Sequence, residues 1–354
     1  MEHTTRDCEG QHVYVGLDVA RKSWKVSIAG EALEHKTFMQ PPSVAVLAGY
    51  LRKTFPGAQV HCAYEAGYCG FWIHEQLREQ QIECVVVNPA DVPTKDRERA
   101  FKSDRVDARK LARGLRSGEL DPIYVPSRQA QEDRTLVRLR WSLVRKQTRA
   151  KNQIKSLLAF YGIQLPEEVA ETHWSKRYLA ALEQQHLRYA SGNAVLQTLL
   201  SELATLRQLI SDTTRRIRML AEQEPYREMA GYLRTIPGIS TLTAMTLLTE
   251  LVDIHRFESL DRLASYVGLA PGSHASGEND FTTGITERRN AHLRHILIES
   301  AWIAARRDPV LFETFETLAK RMPKQKAIVR IARKLLNRAR FVLLRRTAYV
   351  TSVR

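Results

Sequence analysis

Four carboxylates, Asp18, Glu65, Asp104 and Asp107, stand in an otherwise basic chain, in contexts that aim them rather than solvate them. Asp18 ends the apolar run VYVGLD and Glu65 ends VHCAYE, while Asp104 and Asp107 open the helix-like segment SDRVDARKLARGL. Two strand ends and two helix positions three apart can converge on one point, because residues i and i+3 lie one above the other. Like charges ~4 Å apart repel by about 4 kcal/mol per pair at an effective dielectric of ~20, so such a cluster wants a cation. Hard oxygen ligands favour Mg²⁺ or Mn²⁺. Taken singly, Asp104 and Asp107 also suit the first turn of a helix capped by Ser103, where the dipole stabilises an anion by ~0.3–1 kcal/mol. It is the combination with Asp18 and Glu65 that points to a metal.

The elements that must hold these acids alternate between strand and helix. Residues 13–18, 23–28 and 32–38 read as three short strands stopped by Pro41-Pro42; a helix over 44–53, a strand over 59–65, a helix over 70–79 and a strand over 82–88 follow. Three meandering strands, then helix-linked strands, with acids ending the first and fourth and on a late helix, have the order of an α/β ribonuclease-H-like domain, residues 1–127. Its last connection, PADVPTKDRERAFKS, is too long and polar for a routine loop.

Residues 128–224 change texture to long helices. Leu199, Leu203, Leu206, Ile210, Ile217 and Leu220 alternate steps of four and three, with Thr213 in the seam, which predicts a coiled-coil linker. That seam serves an antiparallel hairpin, a subunit contact, or packing of the helix on its own domain. Residues 225–354 read as a mostly α-helical C-terminal domain. Residues 317–354 carry 12 Lys or Arg and no Asp or Glu, interleaved with Ile328, Ile331, Leu335, Leu336, Val342 and Leu343, which predicts a folded basic helix suited to phosphate. Upstream, Pro237-Gly238-Ile239-Ser240 joins two apolar helical segments in a helix-hairpin-helix-like turn, which either presents backbone N–H groups to a phosphate or is a plain helical hairpin. Ser276 lies in a Gly- and Ser-rich stretch with no His-Asp relay beside it, so its surroundings alone give it no activator.

Lys and Arg number 54 against 39 Asp and Glu in 354 residues, a net charge of +15 that favours a polyanionic partner, nucleic acid first. No run approaches the ~20 apolar residues of a membrane span, and the polar start MEHTTRDCEG has no hydrophobic signal region. A soluble, cytoplasmic protein with no membrane partner is expected. Cys8, Cys62, Cys69 and Cys84 have no Cys-x-x-Cys spacing and are expected as reduced thiols.

In succession, VYVGLDVARKSWKVSIAG, YEAGYCGFWIHEQL, VVVNPADVPTKDRERAFKSDRVDARKLARGL, the IPGIS turn and YVGLAPGSHASGENDFTTGITERRNAHLRHILIESAW resemble the DEDD transposases of bacterial insertion sequences, the group numbered 110 with its 1111 subgroup. The resemblance implies a RuvC-like domain, a coiled-coil linker and a C-terminal transposase domain. It implies the acidic quartet Asp18, Glu65, Asp104 and Asp107 as metal-binding and catalytic, and Ser276 as nucleophile. It further implies DNA recombination guided by a structured non-coding RNA that the element encodes, a nucleoid-associated location and a homo-oligomer, dimer or tetramer. Two departures bear on DNA contact: Glu287-Arg288-Arg289-Asn290 replaces Lys-x-Gly-Asn, and the hairpin carries Ser240.

The mechanism expected is Mg²⁺-assisted transesterification through a phosphoserine. A RuvC-like Holliday-junction nuclease would use the same site to activate water, and a non-catalytic nucleic-acid-binding protein would carry the acids as caps. Arg105, Arg109, Lys110, Gly238, Arg288, Arg289 and Arg294 are the expected nucleic-acid contacts, since they flank the proposed chemistry or form the turn.

Overall fold

The computed structural model describes residues 8–31, 34–92, 104–165, 174–270, 272–276, 279–283 and 290–350, with the backbone alone for 104–106, 272–276 and 279–283. The chain divides into two compact units, Met1–Pro126 and Ser127–Arg354.

The first unit is built on five strands, β1 (His12–Val19), β2 (Trp24–Ala29), β3 (Glu34–Gln40), β4 (Gln59–Glu65) and β5 (Glu83–Val87), in the order β3-β2-β1-β4-β5. β1, β2 and β3 form an antiparallel meander, and β4 and β5 extend β1 in parallel. This mixed sheet is compatible with the ribonuclease-H-like order expected, with strand ends displaced by one or two residues. Alternation along the strands decides which face each residue serves. Val13, Val15, Leu17, Cys62 and Tyr64 point to one face and pack against Leu47, Ala48 and Leu51 of α1 (Val44–Thr54) and Ile73 and Leu77 of α2 (Trp72–Glu79). Ala63 and Val87 point to the other face and pack against Leu111 of α3 (Asp104–Ser117). Both faces of the parallel part are therefore covered, as such sheets require. α1 starts sharply after Pro41-Pro42 because the Ser43 hydroxyl accepts from Val46 N at 3.3 Å. Of the long polar connection, Pro89–Asp91 forms one 3₁₀ turn followed by the buried Val92; residues 93–103, Ser103 among them, lie outside the described residues.

The second unit opens with two long helices, α4 (Arg128–Phe160) and α6 (Ala190–Ala221), with α5 (Lys176–Glu183) between them in sequence. Val137 shares a core with Ile217, Leu143 and Ala150 with Leu206, and Ile154 and Leu158 with Leu196 and Leu203, so α4 and α6 run antiparallel. The apolar seam of 199–220 thus packs within the chain, with Leu203, Leu206 and Ile217 buried and Leu199, Ile210 and Leu220 half-buried. Thr213, the polar residue in it, donates to Leu209 O at 2.6 Å and leaves no unmet donor.

Helices α7 (Arg227–Arg234), α8 (Thr241–Leu251), α9 (Leu260–Val267), α10 (Ala291–Arg307), α11 (Pro309–Ala319) and α12 (Lys324–Arg345) share one core with the α4–α6 pair, and β6 (Gly272–Ser276) pairs with β7 (Asn279–Thr283). α12 is the basic helix of the sequence, and its Ile328, Ile331, Leu335, Leu336, Val342 and Leu343 are all buried in that core. Acids from other elements meet several of its charges: Arg338 binds the fully buried Asp308 at 2.6 Å, and Arg333 pairs with Asp261. Arg346, just past the helix, lies 2.6 Å from Glu228.

Cys8, Cys62 and Cys84 are buried free thiols and Cys69 is half-buried. Among the described residues, no helix is long and apolar enough to cross a membrane.

Candidate active site

The carboxylates are placed by a narrow place in the sheet. β1 and β4 run parallel with Gly16 opposite Ala63 and Leu17 opposite Tyr64, so Asp18 and Glu65 come next on adjacent strand ends. Gly16 and Ala63 are both small and lie on the face covered by α3. Two residues on, Asp18 and Glu65 stand on that same face. The small pair lets the helix come close: a Cβ added at Gly16 would stand 2.0 Å from Ala108 O and 2.6 Å from Ala112 N of α3. Asp107 precedes Ala108, so the approach that Gly16 permits carries Asp107 towards the strand ends.

The result is a cavity of about 130 Å³ in which Asp18, Glu65 and Asp107 all take part, walled by Leu17, Tyr68 and Leu111. All three acids are half-buried. Lys110, one helical turn on and nearly buried, holds Nζ 3.3 Å from Asp107 Oδ1. Tyr68 donates its hydroxyl to Val19 O at 3.3 Å across the mouth of β1. Burial pushes the thiol of Cys69, also in the wall, above its ordinary range, so it stays protonated. Asp104 opens α3 in the backbone; its side chain lies outside the description.

Three carboxylates around one cavity supply hard oxygen donors of the kind that suits Mg²⁺ or Mn²⁺. Among the described residues, no three His, Cys, Asp or Glu side chains stand close enough to form a finished metal site. The donors suit a divalent cation in kind, and the three described carboxylates are not gathered closely enough to hold one by themselves.

Ser276 is the last residue of β6, paired in register with Asn279 of β7; its side chain is outside the description. Arg288 and Arg289 lie outside the described residues, and Arg105 is described in its backbone only. The other expected nucleic-acid contacts have partners inside their own units. Arg109 donates Nε to Thr37 Oγ1 at 3.1 Å, with Glu34 at 3.7 Å. Lys110 serves Asp107, and Arg294 donates to Gly268 O at the end of α9. Gly238 takes φ +90° in the turn between α7 and α8, where a Cβ would stand 2.5 Å from Ser300 O of α10. Ser240 is the N-cap of α8 and accepts from Thr243 N at 3.1 Å.

One group in the second unit went unnoticed in the sequence. Glu250, on α8, is fully buried and bound through both oxygens by Arg138 of α4 at 2.6 and 2.7 Å. Asn290, which caps α10, donates to it at 2.8 Å, and Arg134 donates to the neighbouring Thr249 O at 2.8 Å. Burial pushes this carboxyl up, but the Arg138, His292 and Asn290 side chains outweigh it and hold the pKa down to about 2. Asn290, the next residue in sequence after Arg289, is itself held by this buried ion pair. An acid in an apolar helical run, TLTAMTLLTEL, was the available signal, since a buried charge demands a partner.

Residues 15–163 match a family profile described as a transposase, of the DEDD type and the IS110 group, and residues 230–316 match one described as the transposase IS116/IS110/IS902 family. Among relatives, a Sinorhizobium fredii protein named as transposase y4qE is 31% identical over 299 residues, covering 82% of this chain and 72% of its own. The transposase for insertion sequence element IS1111A of Coxiella burnetii is 28% identical over 200 residues, 56% of this chain and 54% of that one. A pilin gene-inverting protein of Moraxella bovis is 36% identical over 115 residues, 30% of this chain and 34% of that one. These matches define an enzyme class that processes DNA. The chain belongs to the IS110/IS1111 family of insertion-sequence transposases.

Proposed function

We propose that this transposase cuts and rejoins DNA strands by metal-dependent transesterification, with Asp18, Glu65, Asp104 and Asp107 as its metal-binding acids and Ser276 as its nucleophile. The observation that carries the reading is the cavity shared by Asp18, Glu65 and Asp107 at the ends of two parallel strands. When bound there, Mg²⁺ or Mn²⁺ would supply positive charge to offset that on the phosphate oxygens. The serine Oγ forms a bond to phosphorus as the bond to the strand's 3′-oxygen breaks, and the proton given up by serine ends on that leaving hydroxyl. The 3′-hydroxyl of a second strand then attacks phosphorus, the serine–phosphorus bond breaks, and serine regains a proton. One phosphodiester is exchanged for another without an external energy source.

In this reading element ends and target DNA are the substrates, and a structured RNA pairs with both, so that base pairing reads sequence while the protein reads backbone and charge. The +15 net charge fits that division. The protein acts as a homo-oligomer.

The alternative is a RuvC-like junction nuclease, in which the same acids activate water. The relative named as a gene-inverting protein favours strand exchange, because inversion has to rejoin what it cuts. A suicide DNA substrate incubated with the chain and Mn²⁺ separates the two. A strand covalently attached to the native chain and absent with Ser276→Ala is the expected result. Free ends without attachment would support hydrolysis, and attachment that persists in Ser276→Ala would remove the serine from the mechanism.

A further inference from the structure

We infer that the exposed face of α4 from Arg145 to Phe160, continued by Tyr161, binds an unpaired nucleic-acid strand. This face includes neither the acids nor Ser276, and its assignment does not depend on the reading given them. Arg145, Arg149, Asn152, Gln153, Ser156 and Phe160 recur at helical spacing on one face, turned away from the buried Leu143, Ala150, Ile154 and Leu158. With Tyr161 they line a groove of about 690 Å³ that runs for about 22 Å along the helix.

Its chemistry narrows the occupant in two steps. Residues 141–160 contain five Lys or Arg and no Asp or Glu, so the complementary partner is a polyanion. At the end of the stripe, Phe160 is 82% exposed and Tyr161 55% exposed, with ring centroids 5.1 Å apart. Double-stranded DNA keeps its bases stacked inside and offers such rings nothing but phosphate and sugar. An unpaired strand offers base faces, which stack on aromatic rings, and base edges, which amides such as Asn152 and Gln153 can both donate to and accept from.

The test uses the full chain and fluorescence anisotropy with labelled oligonucleotides of about 15 nucleotides: unpaired RNA, unpaired DNA and duplex DNA. Phe160→Ala/Tyr161→Ala should weaken binding of an unpaired strand about 10- to 100-fold and leave duplex binding within about twofold. Arg145→Gln/Arg149→Gln should flatten the salt dependence of unpaired-strand binding by about 1.4 units of slope. Both rings are exposed, so circular dichroism should be native; should the double variant fail to fold, Phe160→Asn alone carries the same test. Unchanged affinity for unpaired strands overturns the inference, as does a parallel loss for strand and duplex. Retained strand affinity with lost self-association in sedimentation would mean that a second copy of the chain covers the rings, and would equally overturn it.

Discussion

The carbonyl oxygen of Ala108 lies where a side chain on Gly16 would begin, with 2.0 Å between it and an added Cβ. A contact that short with backbone cannot be relieved by rotating a side chain, so Gly16→Ala has to move α3 or β1. Overpacking of this kind costs about 3 kcal/mol, the upper end of its usual range. The same movement draws Asp107 away from Asp18 and Glu65. The expected outcome is a lowered denaturation midpoint together with weaker Mn²⁺ binding by calorimetry. A variant with native stability and native metal affinity would show that α3 does not depend on this contact for its position.

Asp18→Asn, Glu65→Gln and Asp107→Asn preserve shape while removing one negative charge each from the cavity wall. Changes outside the ligand set of a metal site typically cost about 10- to 100-fold in affinity or activity, and loss of a direct ligand should exceed that. Each variant should therefore fold, retain DNA binding and lose strand cleavage by more than about 100-fold. Mn²⁺ affinity unchanged in Asp18→Asn would favour the acids as caps of strand and helix.

How far this site could be read from sequence follows from the range of the interactions involved. Asp18 and Glu65 were legible because an acid closing an apolar strand is a local pattern, and the parallel pairing of β1 with β4 brings two such ends side by side. Gly16 lay in plain view in VYVGLD, but a strand glycine signals a close approach without saying what approaches. The internal partners of the basic residues were not legible at all. Arg338 finds Asp308, 30 residues away, and Arg346 finds Glu228, 118 away, so a segment free of acids is not a segment free of ion pairs. Thr213, polar within the seam of 199–220, is accommodated by a hydrogen bond to its own helix.

Lys110 supplies positive charge beside Asp107, 3.3 Å away, and is nearly buried there. A cation in the cavity and the Lys110 ammonium offset the same negative charge, so they are partly interchangeable for stability. Lys110→Met should lower the stability of metal-free protein by about 1.5 to 3 kcal/mol, the usual worth of a hydrogen bond to a charged group. Added Mn²⁺ should restore more stability to the variant than to the native chain. Denaturant titrations with and without Mn²⁺ read this directly, and equal stabilisation of both proteins would separate Lys110 from the metal site.

Glu250 makes a prediction about acid. Its carboxyl is held down to about 2 from an ordinary 4.5, so the folded state keeps it ionised where the unfolded chain would take up a proton. The sign follows: the stabilisation is fully present above about pH 4.5, fades as pH falls, and is gone below about 2. A shift of that size corresponds to about 3 kcal/mol at neutral pH. Glu250→Gln removes the titrating group and leaves Arg138 facing a neutral amide. The stability gap between native chain and variant should therefore be widest near pH 7 and should narrow steadily between about pH 4.5 and 2. Asn290 donates to this same carboxylate and caps α10, so the variant should also show faster amide exchange at the start of that helix. A gap that stays constant from pH 7 to 2 would mean that Glu250 shapes the packing between α4 and α8 without contributing through its charge.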